Sequence, residues 1–501
     1  MVKTPTLTEF GLPALVTVGD DLSTTALMRQ RAAENPDRLH CEYKPASGPW
    51  VPVTLAQFAD QVTAVAKGIA ALGIAKGDSV GLMASTRFEW ALFDFAIMAA
   101  GESVSVPELL ARSSAAAPDD VASIVYTSGT TGNPKGVELT HRNLVEHALN
   151  ASAYPELQKL TSPDKRILLF LPLAHVLARH LEILSMASGM TIGFAPSPAT
   201  LPADLRSFKP HWMPAVQLRI ADSLVLHKVR EAMGGDMQYV VSGGARLAPS
   251  LAHFYAGLGV TVLEGYRLTE SSAPATCNPQ NTPRVGTVGP PLPGCTVRIA
   301  DDDEVLIKGP NVFAGHRHRA DLTAEVLNDG WFATGDLGSL DSDGYLRITG
   351  GKKEIIVTDG GKDVQPAGLE DAIRPDPLIQ EVIVVGDGRP YIGALISRDA
   401  KVLRAWLSSR GLPSMTIAEA TENADLEAHL KTVIAAANQG VSKAEAIRTW
   451  CALPRELTEA DGEFSASMKA RRKVVLEHFA NLVDELYATS RRSPLVPIPF
   501  N

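Results

Sequence analysis

Cysteine is scarce in this sequence, and positive charge is not in excess. The four cysteines, Cys41, Cys277, Cys295 and Cys451, form no C-x-x-C pair in a chain of 501 residues. That argues against a disulfide framework and a structural zinc site, and it suits a reducing cytoplasm. Lys and Arg total 47 against 56 Asp and Glu, for a net charge of -9. No global positive field therefore draws nucleic acid or anionic lipid, and a polyanionic ligand needs a local basic site. Long apolar runs are missing as well. The best, around residues 91–100, contains Asp94 and falls well short of the roughly 20 residues that cross a bilayer. The N-terminus has neither the basic nor the apolar region of a secretory signal.

What is present is a globular balance, with 45% hydrophobic and 21% charged residues, long enough for several structural units. Residues 54–73 place Phe58, Val62, Val65, Ala66 and Ile69 at helical spacing, and Ser79 to Met83 then reads as a short strand. A second helical stretch covers 89–100, and strand-like runs recur at 167–171, 239–242 and 261–263. This alternation predicts an α/β protein with a largely parallel sheet. From about residue 283 the pattern changes to short strands separated by Gly, Pro and Asp turns, as expected of a small β-rich subdomain reaching to about 350. Strand-like 381–385 and amphipathic stretches at 424–436 and 474–487 predict a compact α+β domain over the last 150 residues.

The most informative segment is Tyr126 to Gly136, Y-T-S-G-T-T-G-N-P-K-G, with an apolar strand before it and Thr140 placed to cap a helix after it. Glycines and small hydroxyl residues let N–H and O–H groups turn toward one anion, as phosphate oxygens require, and Lys135 adds positive charge. The segment is not a Walker A loop, which would need Gly at Pro134 and Ser or Thr at Gly136. Other motifs fail on spacing. His175 and His180 do not form H-E-x-x-H, the D-S-D-G turn at 341–344 lacks EF-hand spacing, and Val240 breaks any G-x-S-x-G elbow.

With this string, five further segments fall in a fixed order: L-P-L-A-H-V at 171–176, S-G-G-A-R-L at 242–247, E-G-Y-R-L-T-E at 264–270, T-G-D at 334–336, and Y-L-R-I-T-G-G-K-K-E-I-I-V-T-D-G-G-K-D-V-Q-P at 345–366. S-A-S-M-K-A-R-R at 465–472 closes the series. Together they resemble the adenylate-forming superfamily of acyl-CoA synthetases, peptide-synthetase adenylation domains and luciferases, over nearly the whole chain. The forms G-G-K-K-E-I, S-x-S-M-K and G-D-G-R-P-Y-I-G-A-L are most similar to those of bacterial long-chain fatty-acid CoA ligases.

The resemblance implies a large N-terminal domain over residues 1–350, with α/β sheets flanked by helices and the β-rich subdomain, and a smaller, mobile α+β domain over 351–501. It implies an enzyme that joins a fatty acid to ATP as acyl-AMP, releasing pyrophosphate, and then passes the acyl group to CoA. Thr127, Ser128, Gly129, Thr130, Thr131, Gly132 and Lys135 would hold the β- and γ-phosphates. Glu270, with Thr127, would ligate Mg2+, and Thr269 would contact the α-phosphate. Tyr266 would stack on adenine, Gly243, Gly244 and Ala245 would border the adenine and acyl channel, and Asp336 would accept hydrogen bonds from the ribose hydroxyls. His175, by its residue type alone a satisfied core histidine, would line the acyl and pantetheine passage. Lys469, locally one more lysine in a basic patch, would bridge the fatty carboxylate and the α-phosphate. Lys353 occupies the hinge position. The expected partners are fatty acid, ATP and CoA, with no nucleic acid and no transmembrane segment, while peripheral membrane contact and oligomeric state stay open.

Three departures stand out. Arg267 occupies the third position of a motif usually written G-Y-G-L-T-E, placing a long cation where the family has no side chain. Gly351 replaces an Arg that contacts nucleotide. Only 24 residues separate Gly101 from Tyr126, and the stretch from Pro214 to His227 is also short, which points to segments missing from this sequence. Two alternatives therefore stand beside the CoA ligase: an acyl-AMP ligase that loads a carrier-protein phosphopantetheine, and a degenerate nucleotide- or lipid-binding relative without turnover.

Overall fold

The computed structural model describes residues 6–45, 48–100, 116–127, 134–195, 200–215, 231–243, 247, 249–464 and 470–488. They gather into two compact units that divide in sequence between Arg347 and Ile348, with Gly335–Gly338 grouped in the second.

The first unit is organised by an eight-stranded sheet. Its strands lie in the order Ala273–Cys277, Thr261–Leu268, Tyr239–Gly243, Trp212–Ala215, Arg166–Leu169, Thr191–Phe194, Leu39–Tyr43 and Val51–Thr54. The six inner strands run parallel and the two edge strands antiparallel. Inner strands covered on both faces are largely apolar, and Thr191–Phe194, T-I-G-F, is buried at every position. Helix Leu55–Ala71 starts at a reciprocal cap between Thr54 and Gln57 and buries Phe58, Val62, Ala66 and Ile69, as their spacing requires. Helix Val176–Ser188 is buried along its whole length and packs with Leu144, Val145 and Phe95 in the main core.

The strand expected at Ser79–Met83 does not form. No described strand pairs with this run, and Met83 stands 98% exposed. An apolar alternation without a hydrogen-bonding neighbour has nothing to hold it extended. A second sheet joins Glu9–Gly11, Thr296–Ile299, Glu304–Lys308, Trp331–Leu340 and Leu327–Asn328, with Leu346–Gly351 pairing on Trp331–Leu340. It accounts for the turn-rich texture after residue 283. A third, three-stranded antiparallel sheet holds Val121–Thr127, Lys135–Thr140 and Gly315–His316.

The second unit is α+β. Ile379–Val385 and Ile392–Arg398 pair antiparallel, and Ile447–Ala452 joins in parallel. Helices Ala400–Ser409 and Ala424–Asn438 are capped by the side chains of Asp399 and Asn423. The single helix expected at 474–487 is two, Arg472–His478 and Ala480–Tyr487. They break at Phe479, whose backbone (φ -112°, ψ 25°) leaves the helical region and whose ring is buried with Val475, Leu457 and Leu486. Burying that ring offsets the hydrogen bonds lost at the break. Among the described residues, no helix is long and apolar enough to cross a membrane.

Candidate active site

The Y-T-S-G-T-T-G-N-P-K-G segment begins and ends on two paired antiparallel strands, Val121–Thr127 and Lys135–Thr140, called the hairpin below. Its strands pair from Val121 with Thr140 to Thr127 with Lys135. Ser128, Gly129, Thr130, Thr131 and Gly132 follow Thr127 and lie outside the described residues. The far end is pinned by Thr140, whose hydroxyl accepts the Asn143 amide at 3.1 Å while Asn143 Oδ1 accepts the Thr140 amide at 2.9 Å. This reciprocal cap starts helix His141–Ala153.

A strap of chain, residues 310–317, ties this hairpin to the L-T-E segment. Asn311 Nδ2 donates to the Ser271 carbonyl at 3.3 Å, and the Phe313 amide donates to the Glu270 carbonyl at 2.9 Å. The Ala314 amide then donates to Glu138 at 3.0 Å, and the Arg317 amide to Gly136 at 2.8 Å. Asn143 Nδ2 seats the strap from behind, donating to Pro310 and Val312 carbonyls at 2.7 and 2.9 Å. Gly136 has to be small here, since a Cβ would lie 3.0 Å from Ile124 Cγ2 and 3.2 Å from Arg317 Cβ. Thr127, Lys135, Thr269 and Glu270, far apart in sequence, thus belong to one hydrogen-bonded frame. Nothing in the motifs signals the strap or the second role of Asn143, because both act through backbone carbonyls.

The adenine and acyl segments meet on the parallel pair Tyr239–Gly243 and Thr261–Leu268, where Gly243 lies opposite Gly265. A Cβ on Gly265 would stand 2.9 Å from the Thr276 carbonyl, so only glycine allows that close approach. Glu264 Oε1 accepts the Leu247 amide at 3.1 Å and fixes the end of S-G-G-A-R-L; Gly244 and Ala245 lie outside the described residues. Register slips between Tyr266 and Arg267, a bulge that re-aims the side chains beyond it. Tyr266 is buried, and Arg267, Thr269 and Glu270 are partly so.

Arg267 and His175 come together. His175 is the N-cap of helix Val176–Ser188, its Nδ1 accepting the Leu177 amide at 3.2 Å. Arg267 Nη1 lies 3.1 Å from His175 Nε2, and Nη2 lies 3.4 Å from the Gly243 carbonyl. Burial first, and the Arg267 charge second, push the imidazole down to about 4, so it is neutral at physiological pH. Burial lowers Arg267 to about 10, which leaves it charged. One turn along the same helix, Arg179 reaches Ser123 of the hairpin at 2.5 Å and both Asp94 oxygens at 2.6 Å. Arg179 therefore ties the His175 helix to the phosphate hairpin by a hydrogen bond and to helix Phe88–Ala100 by a buried ion pair.

Asp336 lies on strand Trp331–Leu340 and is partly buried, and Lys353 is exposed in the short turn Lys352–Glu354. Both group with the second unit. Lys469 lies outside the described residues.

The profile of the family described as AMP-binding enzyme matches residues 28–107 and 102–316, and that of the AMP-binding enzyme C-terminal domain matches 353–491. The long-chain-fatty-acid–CoA ligase FadD15 of Mycobacterium bovis is 36% identical over 96% of this chain and 99% of its own length. This chain belongs to the AMP-binding enzyme family. The mouse long-chain-fatty-acid–CoA ligase ACSBG1 is 28% identical over 75% of this chain and 63% of its own. Among solved structures, the Bacillus subtilis O-succinylbenzoate coenzyme A synthetase with AMP superposes at a TM-score of 0.70 with 21% identity, over 91% of this chain and 98% of its own. The anthranilate CoA ligase AuaEII gives 0.72 with 16% identity, over 94% and 99%. These confirm the α/β fold with its smaller second domain. The FadD15 alignment runs over 598 positions against 501 residues here, so long stretches of that family member have no counterpart in this chain. The two pieces of the family match meet at 102–107, inside the first stretch that reads as short.

Proposed function

We propose that this protein is an AMP-forming long-chain fatty acid–CoA ligase. The observation that carries the reading is the likeness to FadD15 along 96% of the chain, together with a strap that joins the phosphate hairpin to Thr269 and Glu270. In the first half-reaction a carboxylate oxygen attacks the α-phosphorus of ATP; the C–O–P bond forms, the bond to the β-phosphate breaks and pyrophosphate leaves. In the second, the thiolate of CoA attacks the acyl carbonyl and AMP leaves. Charge accumulates on phosphate oxygens, so preorganised donors and cations carry most of the catalysis.

On this reading the loop after Thr127 and the Lys135 ammonium hold the terminal phosphates, Thr269 meets the α-phosphate, and Tyr266 and Gly243 border adenine. The Thr127 hydroxyl and Glu270 carboxylate are hard oxygen donors of the kind Mg2+ takes, and the ion would supply charge neutralisation for the triphosphate. Asp336 binds the ribose hydroxyls. Lys469 bridges carboxylate and α-phosphate, and the domain of residues 351–501 turns about Lys353 against residues 1–350 between the half-reactions. Four unpaired cysteines, three of them buried, fit a cytoplasmic protein.

A pyrophosphate-release screen over fatty acids of graded length, with and without CoA, tests the reading. It predicts AMP and pyrophosphate from ATP plus acid, and thioester only with CoA; ADP as product would overturn it. Competition between CoA and a holo-carrier protein separates the acceptors. Lys469→Ala should abolish adenylation and largely spare thioesterification of preformed acyl-AMP. A second reading, a nucleotide or lipid binder without turnover, is favoured by Arg267, Gly351 and the stretches without counterpart. ATP binding by calorimetry with no pyrophosphate release would support it.

A further inference from the structure

Arg267 is a cation that the described residues around it do not fully meet. A guanidinium carries five N–H donors. Among the described residues, Nε has no acceptor, Nη2 has one carbonyl at 3.4 Å, and Nη1 faces only the His175 ring. That ring offers little. Its Nδ1 already accepts the Leu177 amide, so the proton of the neutral imidazole sits on Nε2, the atom nearest Nη1, and no lone pair remains for the guanidinium. No described carboxylate pairs with Arg267. Two other arginines of this unit do have an acid: Arg179 has Asp94 and Arg166 has Glu42. A poorly met cation in a partly buried position is unfavourable, and an entering anion that accepts two parallel hydrogen bonds relieves it.

The position decides which anion. Arg267 lies between Gly243 and His175, which on the ligase reading border the acyl channel, whereas that reading gives the terminal phosphates Lys135. We propose that Arg267 anchors the carboxylate of the acid substrate, a specificity-determining contact that takes the place of the small residue usual at this position. The proposal rests on the ligase reading given above. Forming the mixed anhydride consumes the carboxylate's charge, so this contact is stronger in the ground state than after adenylation. Its loss should raise KM for the acid more than it lowers kcat.

The test uses the full chain and needs no turnover for its main readout. Displacement of a fluorescent long-chain fatty acid, without nucleotide, is measured for wild type, Arg267→Gln and Arg267→Lys, beside the alcohol of equal chain length. Arg267→Gln should weaken acid binding about tenfold or more while leaving alcohol binding and the KM for ATP within about twofold, and Arg267→Lys should recover part of the loss. Equal or tighter acid binding by Arg267→Gln would overturn the proposal, showing the cation to be an obstruction. A fall in ATP affinity in place of acid affinity would overturn it too, assigning the guanidinium to phosphate. Thermal unfolding checks that each variant is folded; if Arg267→Gln is not, Arg267→Lys alone carries the comparison, and unchanged acid binding there refutes the anchor. Absence of pyrophosphate release by wild type would sink the ligase reading while leaving the binding result legible.

Discussion

The two ends of the site are built by opposite means. At the phosphate end, the 310–317 strap is joined to the L-T-E segment and the hairpin by backbone hydrogen bonds between 2.8 and 3.0 Å from Phe313, Ala314 and Arg317, and Asn143 makes bonds with both its Oδ1 and its Nδ2. At the acid end, Arg267 meets an imidazole edge and one distant carbonyl. A frame closed upon itself holds its geometry with or without ligand. A corner left polar and unmet is shaped for what enters it, which is where substrate choice can differ between relatives that share the same frame.

That contrast can be broken by experiment. The largest effect is expected from Glu270→Ala, which removes a carboxylate and leaves intact the main-chain bond from Phe313; pyrophosphate release should fall roughly 100-fold or more with melting temperature little changed. A large loss of stability would mean that the side chain, and not the backbone, holds the frame.

Next is Asn143→Ala, which strips acceptors and donors from Thr140, Pro310 and Val312 together. Unfolding should be easier by on the order of 2–3 kcal/mol, and KM for ATP should rise while acid binding changes little. Equal damage at both ends would erase the distinction drawn above.

The smallest effect concerns acid sensitivity beneath both ends. Burial lowers His147, its ring tilted against that of His180 at 4.8 Å, from 6.5 to about 4. Between those values the unfolded chain binds a proton that the folded chain refuses, so stability is lost as pH falls from about 6.5 toward 4. In His147→Leu, unfolding should take up roughly one proton fewer, seen as a shallower decline of melting temperature over that range. An unchanged slope would place the titration elsewhere.

How much of this was legible in the sequence follows from how local each signal is. The Thr140 cap, the parallel strands and the helix Leu55–Ala71 are written in neighbouring residues, and they form as read. The strap is not, because its bonds run to carbonyls, which any residue supplies. Ser79–Met83 has the pattern of a strand and lacks a partner, and pattern alone cannot furnish one. The break at Phe479 goes with the burial of its ring in a cluster that includes residues as distant as Val385 and Leu457. For Arg267 the departure itself was plain in E-G-Y-R-L-T-E. What it meets became readable only once His175 was seen committing its Nδ1 to its own helix.

The strap also sets an order of events during synthesis. The hairpin closes between residues only a few places apart, whereas Asn143 must wait for Pro310 and Val312, 167 and 169 residues downstream. Contacts of such separation form late. A nascent chain still tethered to the ribosome before residue 310 already carries the whole Tyr126–Gly136 string, yet the hairpin and the L-T-E segment have nothing to hold them in common. Nucleotide capture on this fold therefore begins as a late event of translation.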